Sequence, residues 1–151
     1  DLNLILKCFL VSKCAFPLKA YYDLSAYKIY MNDVGLLRRM SKLDSSIILE
    51  GNKLFEEFKG TFTENYVASI LTYLQDEAPN YYTFDRNEID FVIQRKNLII
   101  PIEVKSGRSR SKSLDNILKK DEIPYGYKLI DGNVGVSEKK ITLPLYMAIF
   151  L

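Results

Sequence analysis

The sequence predicts an α/β fold, a sheet covered by helices. Two observations lead to it. Apolar, β-branched runs bounded by turn residues mark three consecutive strands between residues 81 and 107, and helical periodicity brackets them on both sides. The resulting order, helix, three strands, helix, strand, lets the two helices cover the sheet.

Taken in order, Leu2 to Ser12 is strongly apolar and broken mainly by Lys7. It reads as a helix end followed by a short strand, which Pro17 terminates. Lys28 to Asn32 alternates and reads as a second short strand. Asp33 is placed to cap a short helix, Val34 to Met40. Residues 1–44 are thus expected to form a small helix-and-strand piece, and residues 45–151 the α/β domain. Ser45 to Lys59 reads as helix and connection, with Gly51 and Gly60 as weak points. Thr61 to Leu74 carries the clearest helical pattern. Phe62, Tyr66, Ile70 and Tyr73/Leu74 fall on one stripe, read as core-facing. Thr61-Phe62-Thr63-Glu64 matches a capping box, which accounts for Glu64 without any ligand.

Pro79-Asn80 breaks the chain, and Tyr81 to Phe84 is a strand. Ser113 to Lys120 is a helix with Leu114, Ile117 and Leu118 inward. Tyr125 to Ile130 reads as a strand, followed by the turn Asp131-Gly132-Asn133. The apolar tail from Ile141 to Leu151, broken by Pro144, fits a strand or a short helix.

Composition narrows the function. The 151 residues are 48% hydrophobic and 13% aromatic, enough for one compact domain. There is no His, which excludes Ser-His-Asp and Cys-His catalysis and any His-ligated zinc. Cys8 and Cys14 cannot complete a zinc tetrahedron alone. They read as reduced thiols, although spacing leaves a bridge between them open. No secretory leader pattern and no apolar run long enough to span a bilayer occurs, so a cytoplasmic protein with no membrane contact is expected. No G-x-x-x-x-G-K-[ST] occurs, so no ATP site is expected in this segment. The chain begins at Asp1 within an apolar pattern, which suggests a piece of a longer protein.

The net charge of +2 is unevenly spread. Six basic residues between Lys105 and Lys120 face only Asp115, so this segment carries +5 and the remainder −3. Arg108, Arg110 and Lys112 within it are candidates for nucleic-acid backbone contacts, or simply a solvated surface.

The stretch EIDFVIQRKNLIIPIEVKSG, Glu88 to Gly107, is the centre of the chemistry. With Lys96-Asn97 as a two-residue loop, and Asn97 supplying the left-handed turn residue, opposed residues have numbers summing to 193. Ile89, Phe91, Ile93, Ile100, Ile102 and Val104 then form one apolar face, and Ile89 opposes Val104. On the other face Asp90 opposes Glu103 and Glu88 opposes Lys105. Opposed carboxylates repel, so that face needs a cation, a raised pKa, or exposure to water. Asp90 and Glu103, with no His or Cys nearby, suit a hard divalent ion such as Mg2+. Lys105 is either a catalytic cation or the ion-pair partner of Glu88. Pro101 lacks an N–H, so a bulge or an unpaired side is expected in its strand.

Asp90, Glu103-Val104-Lys105 and the preceding helical Glu64 resemble the PD-(D/E)XK nuclease superfamily, with Ile89 where the superfamily name has Pro. The phrases FKGTFTENYVASIL, EIDFVI, IIPIEVKSG and the upstream YKIYMNDVGLLRRM look like the domain C-terminal to the ATPase module of many bacterial and archaeal AAA+ proteins. The resemblance runs from about Tyr27 to Leu118. It implies a three-layer core, a mixed central sheet flanked by helices. It implies a Mg2+- or Mn2+-dependent DNA endonuclease in which Asp90 and Glu103 bind metal, Glu64 is an additional ligand, and Lys105 assists catalysis. It also implies a nucleotide-binding ATPase module earlier in the same full-length chain as a partner. The alternative is a catalytically silent module that binds nucleic acid or protein and regulates that ATPase.

Overall fold

The computed structural model describes residues 8–14, 22–42, 53–75, 77–107 and 109–151. Its strands are β1 (Cys8–Cys14), β2 (Tyr22–Met31), β3 (Asn80–Phe84), β4 (Asn87–Arg95), β5 (Leu98–Lys105), β6 (Gly126–Ile130), β7 (Gly135–Ser137) and β8 (Lys140–Pro144). Its helices are α1 (Val34–Met40), α2 (Lys53–Gln75) and α3 (Lys112–Ile117), with a terminal 3-10 helix, Leu145–Phe150. The strands lie in the order β2-β1-β3-β4-β5-β6-β8-β7. The six strands from β3 onward form a continuous mixed sheet, parallel at β5–β6 and β6–β8 and antiparallel elsewhere. The β1–β2 hairpin joins it through one parallel pair, Lys13 with Tyr81. The class is α/β. The junction expected near residue 44 falls between α1 and α2, and the hairpin before it extends the sheet.

Both faces of the sheet are covered. On one, Val67, Ala68 and Leu71 of α2 pack against Phe91, Ile93, Ile100, Ile102 and Leu129. On the other, Leu114 and Ile117 of α3 pack with Leu118 and Ile123 against Ile89 and Val92. Burial of such side chains contributes roughly 1.5–3 kcal/mol each.

The helices correct two expectations. α2 begins at Lys53 and runs through Gly60, so Thr61 lies inside a helix and caps nothing. Thr63 instead donates to the Lys59 carbonyl one turn back, at 2.5 Å, as a hydroxyl in a helix interior does. The buried stripe is also different: Tyr73 is 79% exposed, and Tyr66 and Leu74 are exposed as well. α2 has apolar residues on several sides, so periodicity alone could not choose the face. Ala68, between Val67 and Leu71, is fully buried with them. Asp33 does cap α1, its Oδ1 accepting from Leu36 N at 2.7 Å.

In the Lys96-Asn97 loop, Lys96 takes the left-handed backbone (φ 54°), not Asn97. Asp85 and Glu138 do the same at the first loop residue of the β3–β4 and β7–β8 hairpins. Pro101 pairs with Val92 without a register shift, and the β5–β6 ladder starts one residue later, at Ile102 with Tyr127. The ring lies against Gly126, where a Cβ would come within 3.0 Å of Pro101 and 2.9 Å of Leu114. Cys8 and Cys14 stand at opposite ends of β1, so about 20 Å separates their Cα atoms and no bridge can join them. The tail is both strand and helix: β8, then the 3-10 turns after Pro144. The helix end expected near Leu2 lies outside the described residues.

Candidate functional site

The site forms where β4 changes face. β3 and β4 pair Asn80 with Val92 but Tyr82 with Ile89, so two steps on β3 match three on β4. The extra residue is a bulge at Asp90-Phe91, opposite Tyr81. Alternate residues of an unbroken strand share a face. Here Ile89 packs under α3, whereas Phe91 packs under α2.

The β4–β5 ladder keeps the expected register from Arg95–Leu98 to Phe91–Ile102 and ends there. Beyond it, Asp90 Oδ2 accepts the backbone N–H of Val104 at 2.7 Å. Asp90 therefore does not oppose Glu103, and Ile89 does not oppose Val104. All six apolar residues assigned to the core are buried, but on two faces. The apolar pattern continues through the bulge on both sides, so it carries no trace of the extra residue.

Four carboxylates and two lysines collect around this point. Glu103 is 2% exposed. Its Oε2 accepts from Leu114 N, in the first turn of α3, at 2.8 Å, and its Oε1 pairs with Lys105 Nζ at 2.8 Å. Glu64, on α2, accepts from Lys28 Nζ at 3.0 Å and from the Tyr30 hydroxyl, both on β2. Lys28 also reaches Glu88 at 2.5 Å and lies 5.2 Å from the centre of the Tyr81 ring. The alternative pair Lys105–Glu88 is replaced by Lys105–Glu103 and Lys28–Glu88. The bulge explains the exchange. It turns Glu88 toward the α2 side, where Lys28 is. Glu64 likewise spends its carboxylate on β2 rather than on a capping box.

Asp90 joins the two groups electrostatically. Burial, with the charge of Glu64 next, pushes its carboxyl up to about 7, against the Val104 amide, Lys105 and Lys28. Burial alone would lower Lys105 and Lys28. Their partners, Glu103 for one and Glu64 with Glu88 for the other, outweigh it and raise both, so both lysines stay charged. Burial and then Glu64 hold the Tyr30 phenol above its usual range.

A family model matches residues 59–148, well over half of the chain. The chain belongs to that family, a domain of unknown function (DUF4143). No curated protein and no solved structure matches it. The DUF4143 match starts at Lys59, inside α2. It takes in Glu64, Asp90, Glu103 and Lys105 but not β2, so Lys28 and Tyr30 come from outside the matched span.

The donor set of this DUF4143 domain fits a hard divalent ion on its chemistry: every candidate ligand is a carboxylate oxygen. Among the described residues, Asp90 Oδ1 accepts no hydrogen bond, and the partner of Glu103 Oε1 is the Lys105 ammonium. No three His, Cys, Asp or Glu side chains among the described residues are grouped to cage a metal. Magnesium, held by one or two carboxylates and several waters, needs no such cage.

The sequence reading missed Lys28 and Tyr30. Their alternation in KIYMN, a lysine and a tyrosine on one face of a strand, was the available signal. It also missed Asn65, which is 2% exposed and clamps the end of β2. Asn65 Oδ1 accepts from Met31 N at 2.8 Å, and its Nδ2 donates to Met31 O at 2.9 Å. Of the basic candidates, Arg110 and Lys112 are exposed beside the start of α3, and Lys128 Nζ ties that loop through Ser109 O at 2.7 Å. Arg108 lies outside the described residues. Ser111, just before α3, is buried, and its Oγ has no partner among the described residues. No described helix is long and apolar enough to cross a membrane.

Proposed function

We propose that this domain is a Mg2+- or Mn2+-dependent phosphodiesterase acting on DNA. One observation carries the reading. Glu64, Glu88, Asp90 and Glu103 outnumber Lys28 and Lys105, and Asp90, whose carboxyl is pushed up to about 7 by burial first and the charge of Glu64 next, forms no ion pair among the described residues. A divalent cation removes such an imbalance. Asp90 and Glu103 are the residues that would hold it. When bound, the ion polarises a phosphoryl oxygen and lowers the pKa of a coordinated water.

The protein supplies the rest. The Leu114 amide fixes the Glu103 carboxylate, and the Val104 amide fixes Asp90. Lys105 stays protonated and presents Nζ to a phosphate oxygen or an attacking water. Arg110 and Lys112, with Arg108 beside them in sequence, provide phosphate contacts that set position rather than base preference. The resemblance to AAA+ C-terminal domains extends the proposal to an ATPase module as the domain's partner in a longer chain.

Incubation of supercoiled plasmid with Mg2+ or Mn2+ should yield nicked circles. Asp90→Ala and Lys105→Ala should each abolish nicking. Intact plasmid after prolonged incubation with either ion refutes the catalytic reading. One observation favours the silent alternative: both Glu103 oxygens already have partners. A silent module predicts salt-sensitive DNA binding that survives Asp90→Ala.

A further inference from the structure

We propose that Lys28 is a tethered counter-ion. It occupies the Glu64 carboxylate and keeps that carboxylate out of the divalent-cation site, so strand β2 sets how tightly the site takes a metal. This rests on the metal-dependent reading above, and it reverses the role that resemblance gave Glu64.

The geometry is specific. Lys28 Nζ lies 3.0 Å from Glu64 Oε1 and 2.5 Å from Glu88 Oε1, so one ammonium is shared between two carboxylates. The Tyr30 hydroxyl donates to the same Glu64 oxygen. Both donors come from one face of β2, and the Asn65 clamp on Met31 holds that strand end to α2 one residue from Glu64. Ser69 Oγ adds a third bond, to Met31 O at 3.2 Å. The ammonium is therefore delivered by a fixed strand rather than by a loose surface side chain. The Lys28 and Glu64 side chains are about a quarter exposed, at 25% and 27%. A groove of about 430 Å3, lined by Lys28, Tyr30, Glu64 and Asn65 among others, opens beside them, so an ion can reach the carboxylate once the lysine is gone. Asp90 feels the charges of both Glu64 and Lys28. Removing Lys28 thus frees a ligand close to an acid that already lacks a matching cation.

The test is calorimetric titration of Mn2+ at low salt, with folding of each variant checked by thermal melting. Lys28→Met should bind Mn2+ about three- to fivefold more tightly than the wild type, the scale of one partly exposed ion pair released. Lys28→Arg should restore wild-type affinity. In the double variant Lys28→Met/Glu64→Gln the gain should disappear, because the freed ligand is gone. Unchanged affinity in Lys28→Met overturns the proposal while leaving the metal site intact, provided Asp90→Asn still abolishes binding. A gain that persists in the double variant also overturns it, since a general charge effect then suffices. If neither the wild type nor Lys28→Met binds Mn2+, the metal-dependent reading falls and the proposal falls with it. Should Lys28→Met not fold, Lys28→Gln with the same Glu64→Gln partner gives the same comparison.

Discussion

Glu103 and Asp90 are two of the four carboxylates at the candidate site, and their surroundings differ sharply. Glu103 is buried and fully partnered: one oxygen on the Leu114 amide, the other on Lys105. Asp90 has one backbone amide, and the charge of Glu64 bears on it. Glu103 thus acts first as a structural anchor, joining β5 to α3. At Asp90 burial and the charge of Glu64 work against the ionised carboxylate, so its charged form is held at a cost to the fold and its neutral form is favoured up to about pH 7. One site can divide the two duties between neighbouring acids because the bulge in β4 places them in different surroundings.

The largest effect expected is at Glu103. Glu103→Ala leaves Lys105 and the Leu114 amide without their partner, and should lower stability in urea by about 3 kcal/mol. Glu103→Gln keeps an acceptor for Leu114 and should lose distinctly less. Equal losses would mean that the amide contact contributes nothing and that the anchor role is wrong.

A smaller effect of opposite sign is expected at Asp90. Its carboxyl is pushed up to about 7 from an ordinary 3.8, so between these values the folded chain holds a proton that the unfolded chain has released. The stability tied to the neutral form is fully present below about pH 4 and lost as pH rises through 7. The full shift corresponds to about 4 kcal/mol, and water reaching the partly exposed carboxylate reduces this, so Asp90→Asn should exceed the wild type by roughly 1–2 kcal/mol at pH 8 without divalent ions and match it at pH 4. Urea unfolding at both pH values decides this. A variant that runs parallel to the wild type across the range would remove the contrast with Glu103.

The smallest effect belongs to a carboxylate far from both. Asp131 pairs with Lys59 at 3.4 Å with its side chain 67% exposed. Asp131→Asn should shift stability by no more than about 0.5 kcal/mol. A larger loss would show that surface pairs matter here and would weaken the special place given to Glu103.

Much of the fold was legible in the sequence. The two-residue loop at Lys96-Asn97, the Asp33 cap and the inward Leu114, Ile117 and Leu118 follow from local chemistry: turn length, side-chain capping and helical spacing. The face of α2 did not follow, because apolar residues flank it on several sides and only packing chooses Val67, Ala68 and Leu71. The candidate residues Asp90, Glu103 and Lys105 were legible as residue types on one hairpin. Their partners were not. Lys28 and Tyr30 stand 36 and 34 residues from Glu64, and no local pattern reports a contact at that separation.

By itself the sequence determined the α/β class, the strand hairpin and the acids and lysine that it carries. These depend on periodicities of two and 3.6 residues, which are local. Only the tertiary structure decided which face each acid occupies. One extra residue at Asp90-Phe91 inverts the alternation before it, and pairing with β3 is what makes that residue extra. A bulge is a mismatch between two strands, so neither strand's own sequence displays it.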